Sequence, residues 1–163
     1  MKEILIKRMK EKQIEEVAKV ASKCFSGLKD IKKARRWIKC NFNAFPRMQY
    51  FVAQKGKKVL GYILWVEKGG FREEAVFELE QIGVHPNYRG MGIGTRLIKE
   101  SLRELKNSLK KRGSRLKLVE VTTGVSNEAQ KLYKKTLGAK PECVIKDLFR
   151  EDEVIMIARF NKK

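Results

Sequence analysis

Between Val76 and Leu105 an apolar run, a proline turn, spaced glycines and an amphipathic stretch follow one another without interruption. Val76–Val84 reads as a strand, and His85-Pro86-Asn87 as the polar turn that ends it. Gly90, Gly92 and Gly94 then stand at alternate positions before a helix carrying Leu97, Ile98, Leu102, Leu105 and Leu109. Few folds accept this order. Glycines ahead of a helix let the main chain come close to a ligand, and the first helical N–H groups have no acceptor of their own. With the helix dipole behind them, those groups suit an anion such as a pyrophosphate. Arg89 adds a permanent cation at the mouth. The segment is expected to hold a phosphorylated cofactor.

The remaining elements can be read by periodicity. Glu3–Arg8 alternates and is expected to be an edge strand. Ile14, Val17, Ala18, Ala21, Cys24 and Phe25 recur at helical spacing over about 11–25, and Gly27 breaks that helix. Ile31, Ala34, Trp37 and Ile38 mark a second helix from Asp30 to Asn43. Tyr50–Ala53 and Val59–Val66 flank Lys55-Gly56-Lys57-Lys58, a hairpin signal. Gly69-Gly70 lies in a loop, and the long helix after the glycines should end near Gly113. Leu116–Thr122 is a strand, 127–137 a helix, and Val144–Phe149 and Val154–Phe160 a closing pair of strands. The order is β-α-α-β-β-β-α-β-α-β-β, without repeats or linkers. A chain of 163 residues that is 42% hydrophobic is expected to form one domain, 1–163, with a real core.

Composition excludes several classes. No apolar run is long enough for a membrane span, and the first ten residues lack a signal-peptide core. Cys24, Cys40 and Cys143 are odd in number and widely spaced, which reads as reduced thiols in a cytoplasmic protein. One histidine and no Cys-x-x-Cys leave no structural zinc site, and no metal is expected. The charge is unusual: 38 Lys and Arg against 19 Asp and Glu give a net +19. Such a surface attracts polyanions, whether coenzyme, RNA or DNA, although dispersed lysines also describe a merely solvated exterior.

Which cofactor the loop takes depends on spacing. The phosphate loop of nucleotide triphosphatases, G-x-x-x-x-G-K-S/T, is absent, and G-x-G-x-G does not fit the dinucleotide pattern G-x-G-x-x-G. The pattern R/Q-x-x-G-x-G/A after V-x-P is filled by Arg89, Gly92 and Gly94 behind Val84 and Pro86. A second stretch, Ser126-Asn127-Glu128-Ala129-Gln130-Lys131-Leu132-Tyr133 with Leu137-Gly138-Ala139, lies about 40 residues on. At these two places the chain resembles the GCN5-related N-acetyltransferase (GNAT) family. Residues 50–160 carry most of the resemblance. It implies a mixed, mostly antiparallel α/β sheet with helices on both faces, and acetyl-CoA as co-substrate. It places the diphosphate on Arg89, Gly90, Met91, Gly92, Ile93, Gly94 and Thr95. The main chain of Ile82, Gly83 and Val84 would pair with the pantetheine arm, Gly83 easing a bulge in that strand. Asn127 would both cap its helix and contact the arm, and Tyr133 would lie near the sulfur. The spacing from Glu120 to Asn127 and from Tyr133 to Gly138 is longer than the family pattern, and Ala139 replaces its usual Phe.

Acetyl transfer to an amine needs a neutral amine, a stabilised oxyanion and a proton for the departing thiolate. An ammonium with a pKa near ~10.4 must first lose a proton. Strand alternation places Glu78, Glu80 and Ile82 on one face, away from Phe77 and Leu79. Glu80, near the end of that strand, stands where polyamine-type members of the family carry their base. Glu120, in Leu118-Val119-Glu120-Val121, stands where ribosomal-protein N-terminal acetyltransferases carry theirs. Glu78 is a third carboxylate, and any of these can equally be a solvated acid beside a lysine. Tyr133 is the candidate general acid, a phenol near ~10 facing a thiolate near ~8.5. His85 is expected to be a turn residue only. Three functions stay open: an N-acetyltransferase for a small amine, polyamine or lysine; an N-terminal or ribosomal-protein acetyltransferase; and a basic nucleic-acid-binding module that keeps the fold. Either a monomer or a homodimer is compatible with the sequence.

Overall fold

The computed structural model describes residues 3–160. The elements run β1 (Ile4–Arg8), α1 (Ile14–Cys24), α2 (Ile31–Asn43), β2 (Met48–Lys55), β3 (Lys58–Lys68), β4 (Glu74–Val84), α3 (Ile93–Lys111), β5 (Arg115–Gly124), α4 (Ala129–Leu137), β6 (Lys140–Ile145) and β7 (Glu153–Arg159). The seven strands form one sheet in the order β1-β2-β3-β4-β5-β7-β6. β4 and β5 pair parallel, whereas β1/β2, β5/β7 and β6/β7 pair antiparallel. This is the mixed, mostly antiparallel sheet expected from the sequence. Contacts divide the chain into two compact units, one holding the described residues up to Trp65 with Gln81–Leu102, the other Val66–Glu80 with the residues from Arg103 onward.

In the first unit the apolar stripe of α1 (Val17, Ala18, Ala21) is fully buried, as are Ala34 and Ile38 of α2. Asp30 caps α2, its carboxylate accepting the N–H groups of Lys32 at 2.8 Å and Lys33 at 3.3 Å. β3 is buried at every position from 59 to 67. A strand with no exposed face must be covered on both sides, which explains why Leu60-Gly61-Tyr62-Ile63-Leu64-Trp65 is continuously apolar rather than alternating. Trp65 donates its indole N–H to Ser101 Oγ at 2.8 Å, so the largest core side chain is also satisfied. Gly61 is required at its position: a Cβ there would stand 2.8 Å from the Gly83 carbonyl oxygen.

In the second unit Phe77, Leu79, Val119, Val121, Leu105 and Met156 are buried. Glu67 is buried too, and Arg112 grips it with both terminal nitrogens, one at 2.9 Å. Phe71 lies 5.1 Å from that guanidinium, shielding it.

Several boundaries differ from the sequence reading. β6 occupies Lys140–Ile145 instead of Val144–Phe149. Asp147 turns left-handed at φ 49° and its N–H goes to Asp152 Oδ1 at 3.0 Å, so Lys146–Phe149 form the turn and the strand precedes it. The helix read over 11–25 opens as a 3-10 turn at Glu11–Gln13 before α1 proper. α4 starts two residues later than expected. Cys24, Cys40 and Cys143 are all free thiols. No helix among the described residues is long and apolar enough to cross a membrane.

Candidate active site

The glycine loop lies in the first unit. β4 ends at Val84, and His85 closes the following turn, its Nδ1 accepting the Asn87 N–H at 3.3 Å. His85 is thus the turn residue the sequence implied. Gly90 and Gly92 have φ of +76° and +74°, which side-chain-bearing residues rarely adopt. A Cβ on either would meet nothing within 4 Å, so backbone conformation, not crowding, demands glycine there. Gly94 is already inside α3, whose first bond runs from Arg96 N–H to the Gly92 carbonyl at 3.1 Å. Among the described residues, no protein acceptor takes the N–H groups of Gly90, Met91, Gly92, Ile93, Gly94 or Thr95. Six main-chain donors at a helix start, two of them on left-handed glycines, fit a diphosphate. Ile93 is buried and anchors the turn, while Met91 is exposed.

Arg89 is exposed at the start of the turn. Its Nε donates to the Val84 carbonyl at 3.2 Å, and Nη2 lies 4.0 Å from Cys24 Sγ. Cys24 Sγ itself lies 3.4 Å from the same carbonyl. Burial pushes the Cys24 thiol up, and the Arg89 charge partly offsets this. Gly83 faces these groups: a Cβ would stand 3.2 Å from both Cys24 Sγ and Phe25 Cε2. The β4/β5 pairing shifts register at Ala75/Val76 and runs as far as Glu78. Close packing favours glycine at position 83. Ile82 is half-buried beside it. Neither Cys24 nor Phe25 carries a motif, so only the fold reveals them.

The three carboxylates lie together in the second unit. Glu78 of β4 and Glu120 of β5 are direct partners across the parallel pair. Lys68, from the end of β3, answers both: its Nζ is 2.9 and 3.0 Å from the two Glu120 oxygens and 3.3 Å from Glu78 Oε2. Burial alone would lower the Lys68 pKa; the Glu120 hydrogen bond and the charges of Glu78 and Glu120 outweigh it and raise it. Glu80 stands two residues beyond Glu78 and has no hydrogen bond or ion pair among the described residues. Its pKa is raised, first by desolvation and then by the Glu78 charge, with Lys68 opposing. Glu80 is nevertheless exposed, so water screens these influences. A carboxylate that is unpaired, ionisable and raised is suited to accept a proton near neutral pH.

Tyr133 of α4 is buried, and burial pushes its phenol up to about 12. The hydroxyl has no partner among the described residues, yet it is not a sealed, unsatisfied atom, so it opens onto solvent. It is fully protonated at neutral pH, as a proton donor must be. Asn127 lies one residue before the N-cap, which is Glu128. Its Oδ1 nonetheless accepts the Ala129 N–H at 2.9 Å and its Nδ2 donates to Thr123 Oγ1 at 2.9 Å, fixing the entry to α4 from β5. The sequence did not identify Lys68 or Thr123, whose roles depend on sheet register and tertiary turns.

A parallel β4/β5 pair inside a mostly antiparallel sheet, with β4 running into a glycine turn and an amide-rich helix start, defines a mixed α/β fold of the acetyltransferase type. The chain belongs to the Acetyltransferase (GNAT) family, whose sequence profile matches residues 14–139. It is 31% identical over 125 residues to an uncharacterized N-acetyltransferase of Methanocaldococcus jannaschii, covering 72% of this chain and 52% of that protein. The chain thus spans about half the length of that curated relative. Among solved structures, it superposes on PH1933 of Pyrococcus horikoshii with a TM-score of 0.71 and 26% identity, covering 98% and 100% of the two chains. The ribosomal-protein-S18-alanine N-acetyltransferase of Escherichia coli shares the fold, with a TM-score of 0.71 and 18% identity over 99% and 96%.

Proposed function

We propose that the chain is an acetyl-CoA-dependent N-acetyltransferase that moves an acetyl group onto a primary amine, of a small molecule, a polyamine or a lysine, by direct attack. The observation that carries this reading is the division of labour among the three carboxylates. Lys68 holds Glu78 and Glu120, whereas Glu80 stays unpaired with a raised pKa.

The residues from Gly90 to Thr95 would hold the diphosphate through their N–H groups, with Gly83 and Ile82 of β4 offering main chain to the pantetheine arm. Bound acetyl-CoA supplies the acetyl group as a thioester. Glu80 takes the proton from the acceptor ammonium, directly or through water, leaving a neutral amine to attack. Tyr133 Oη donates its proton to the sulfur as the thiolate departs. Asn127 keeps the α4 entry in place and so fixes Tyr133. The proposal extends to a single catalytic domain working in the cytoplasm, consistent with three free thiols.

The competing reading, an N-terminal acetyltransferase with Glu120 as base, requires Glu120 to exchange Lys68 for an acceptor. A thiol-release assay across small amines, polyamines, lysine peptides and peptides with free N-termini, run on the parent, Glu80→Gln and Glu120→Gln, separates the two. Glu80→Gln is expected to lower kcat about 10²–10⁴-fold while leaving coenzyme affinity within a few-fold. A normal rate for Glu80→Gln together with a collapsed rate for Glu120→Gln would transfer the role to Glu120.

A further inference from the structure

The described residues bury two carboxylates, those of Glu67 and Glu153. Glu67 is held by Arg112. Glu153, at the start of β7, is 8% exposed, and its carboxylate has neither an ion pair nor a hydrogen bond among the described residues. A buried acid without a partner is costly, and here it goes unpaired in a chain that offers 38 Lys and Arg. Its oxygens are not sealed in, so a ligand can reach them.

Glu151 joins it. Glu153 is the direct partner of Gly124 across the antiparallel β5/β7 pair, so the two share one face of the sheet. A Cβ on Gly124 would overlap the Glu151 carboxylate, which therefore lies over that same face. Ser126 Oγ fixes it there, 2.7 Å from Oε2 and 3.0 Å from Oε1. No cation pairs with Glu151 among the described residues. Burial, and then the Glu151 charge, raise the Glu153 pKa, as two neighbouring acids require.

This face also carries the proposed base, and all of it belongs to the second unit. Register sets Ile157 opposite Glu120 and Ile155 opposite Thr122, so these side chains project with Gly124 and Glu153. Lys68 joins Glu120 to Glu78, and Glu80 follows Glu78 by two positions on the same side of β4. At about 3.3 Å per residue and about 4.8 Å between strands, Glu153 stands on the order of 10 Å from Glu80. Half-buried Thr122 and Ile155 lie between the two. An acid at each end of a largely apolar floor matches a methylene chain with a cation at each end.

We propose that Glu151 and Glu153 bind the second ammonium of an aliphatic diamine or polyamine, whose other end presents the reacting amine to Glu80. The inference rests on the acetyltransferase reading and narrows its acceptor. A metal would need further ligands, and no cluster of three His, Cys, Asp or Glu side chains occurs among the described residues. A basic peptide would lay main-chain polar groups over Ile155, whose side chain offers them no partner.

The test compares octylamine, octamethylenediamine and trimethylenediamine as acceptors in the thiol-release assay. The long diamine is expected to exceed octylamine about tenfold in kcat/KM, chiefly through KM, because only its second ammonium can bond to the two acids. Trimethylenediamine is too short to span the distance and should show no such gain. Glu151→Gln/Glu153→Gln should bring the long diamine down to the octylamine level. Equal kcat/KM for octylamine and octamethylenediamine, or a preference that survives in the double variant, would overturn the proposal and leave the transferase reading standing. So would abolition of the preference by magnesium at constant ionic strength, which would assign the pair to a metal. Calorimetric titration of octamethylenediamine in the presence of coenzyme A reads the site without turnover. Binding that disappears in the double variant, in a parent that acetylates none of the three amines, would uphold the ammonium site and discard the transferase reading. No binding to the parent would overturn the site itself. Melting curves and coenzyme affinity measured on the same variant separate loss of the site from loss of the fold.

Discussion

Lys68 Nζ sits 2.9 Å from Glu120 Oε1 and 3.3 Å from Glu78 Oε2, joining two carboxylates that face each other across parallel strands. Without that ammonium, three acids would share one small region. Lys68 lowers the Glu80 pKa, opposing burial and Glu78. Replacing Lys68 with Met should therefore raise the Glu80 pKa further. A base works only when deprotonated, so activity is lost as pH falls through its pKa. The acid limb of kcat/KM should move to higher pH in Lys68→Met, and the basic limb should stay. A pH–rate profile of the two proteins checks this; coincident acid limbs would separate Lys68 from the base.

Glu80 also carries a stability signature. Its folded-state pKa lies above the ordinary glutamate value, so its contribution favours folding below that ordinary value and is lost as pH rises through the raised one. Glu80→Gln should melt higher than the parent at pH 7, and the difference should vanish near pH 4 and below. Scanning calorimetry at the two pH values reads the sign directly.

Tyr133 is pushed up to about 12 by burial and has no hydrogen-bond partner among the described residues. Removing the hydroxyl should therefore leave Tm within a degree or two while slowing the chemical step about 10²-fold. Single-turnover rapid quench with saturating coenzyme distinguishes this from slower product release. A Tyr133→Phe protein with the parent's single-turnover rate would leave the ring as packing alone.

Gly92 offers a different kind of test, because its φ of +74° and open surroundings separate strain from crowding. Valine resists the left-handed region, whereas asparagine tolerates it. Gly92→Val should weaken coenzyme A binding by at least tenfold, and Gly92→Asn markedly less. Titration calorimetry of both decides it; equal losses would point to obstruction of the ligand instead of distortion of the turn.

Much of this was legible in the chain. The glycine turn, the α3 stripe and the order of elements rest on short-range periodicity and turn chemistry, which sequence records directly. β3 read as a strand from the hairpin signal ahead of it, and the structure shows it buried on both faces. Local competition obscured other details. Val144–Phe149 has strand-like composition, but Asp147 and Asp152 close a turn there and the strand slides back to Lys140–Ile145. Asn127 was legible as a capping residue, yet it acts one position ahead of the N-cap, Glu128. The least legible feature was the pairing that distinguishes the carboxylates. Lys68 and Glu120 are 52 residues apart, and only sheet register brings them together. The bond from Arg89 Nε to the Val84 carbonyl was likewise outside what sequence records.

Six amide donors from Gly90 to Thr95 with no acceptor of their own have a practical consequence at the bench. Such a cluster does not discriminate sharply among small oxyanions, so sulfate, phosphate or citrate in the assay medium will compete for it. Apparent KM for the coenzyme should climb with the concentration of any of these, and rates measured in a chloride-only medium, with the acceptor as the sole amine, will be the ones that describe the enzyme.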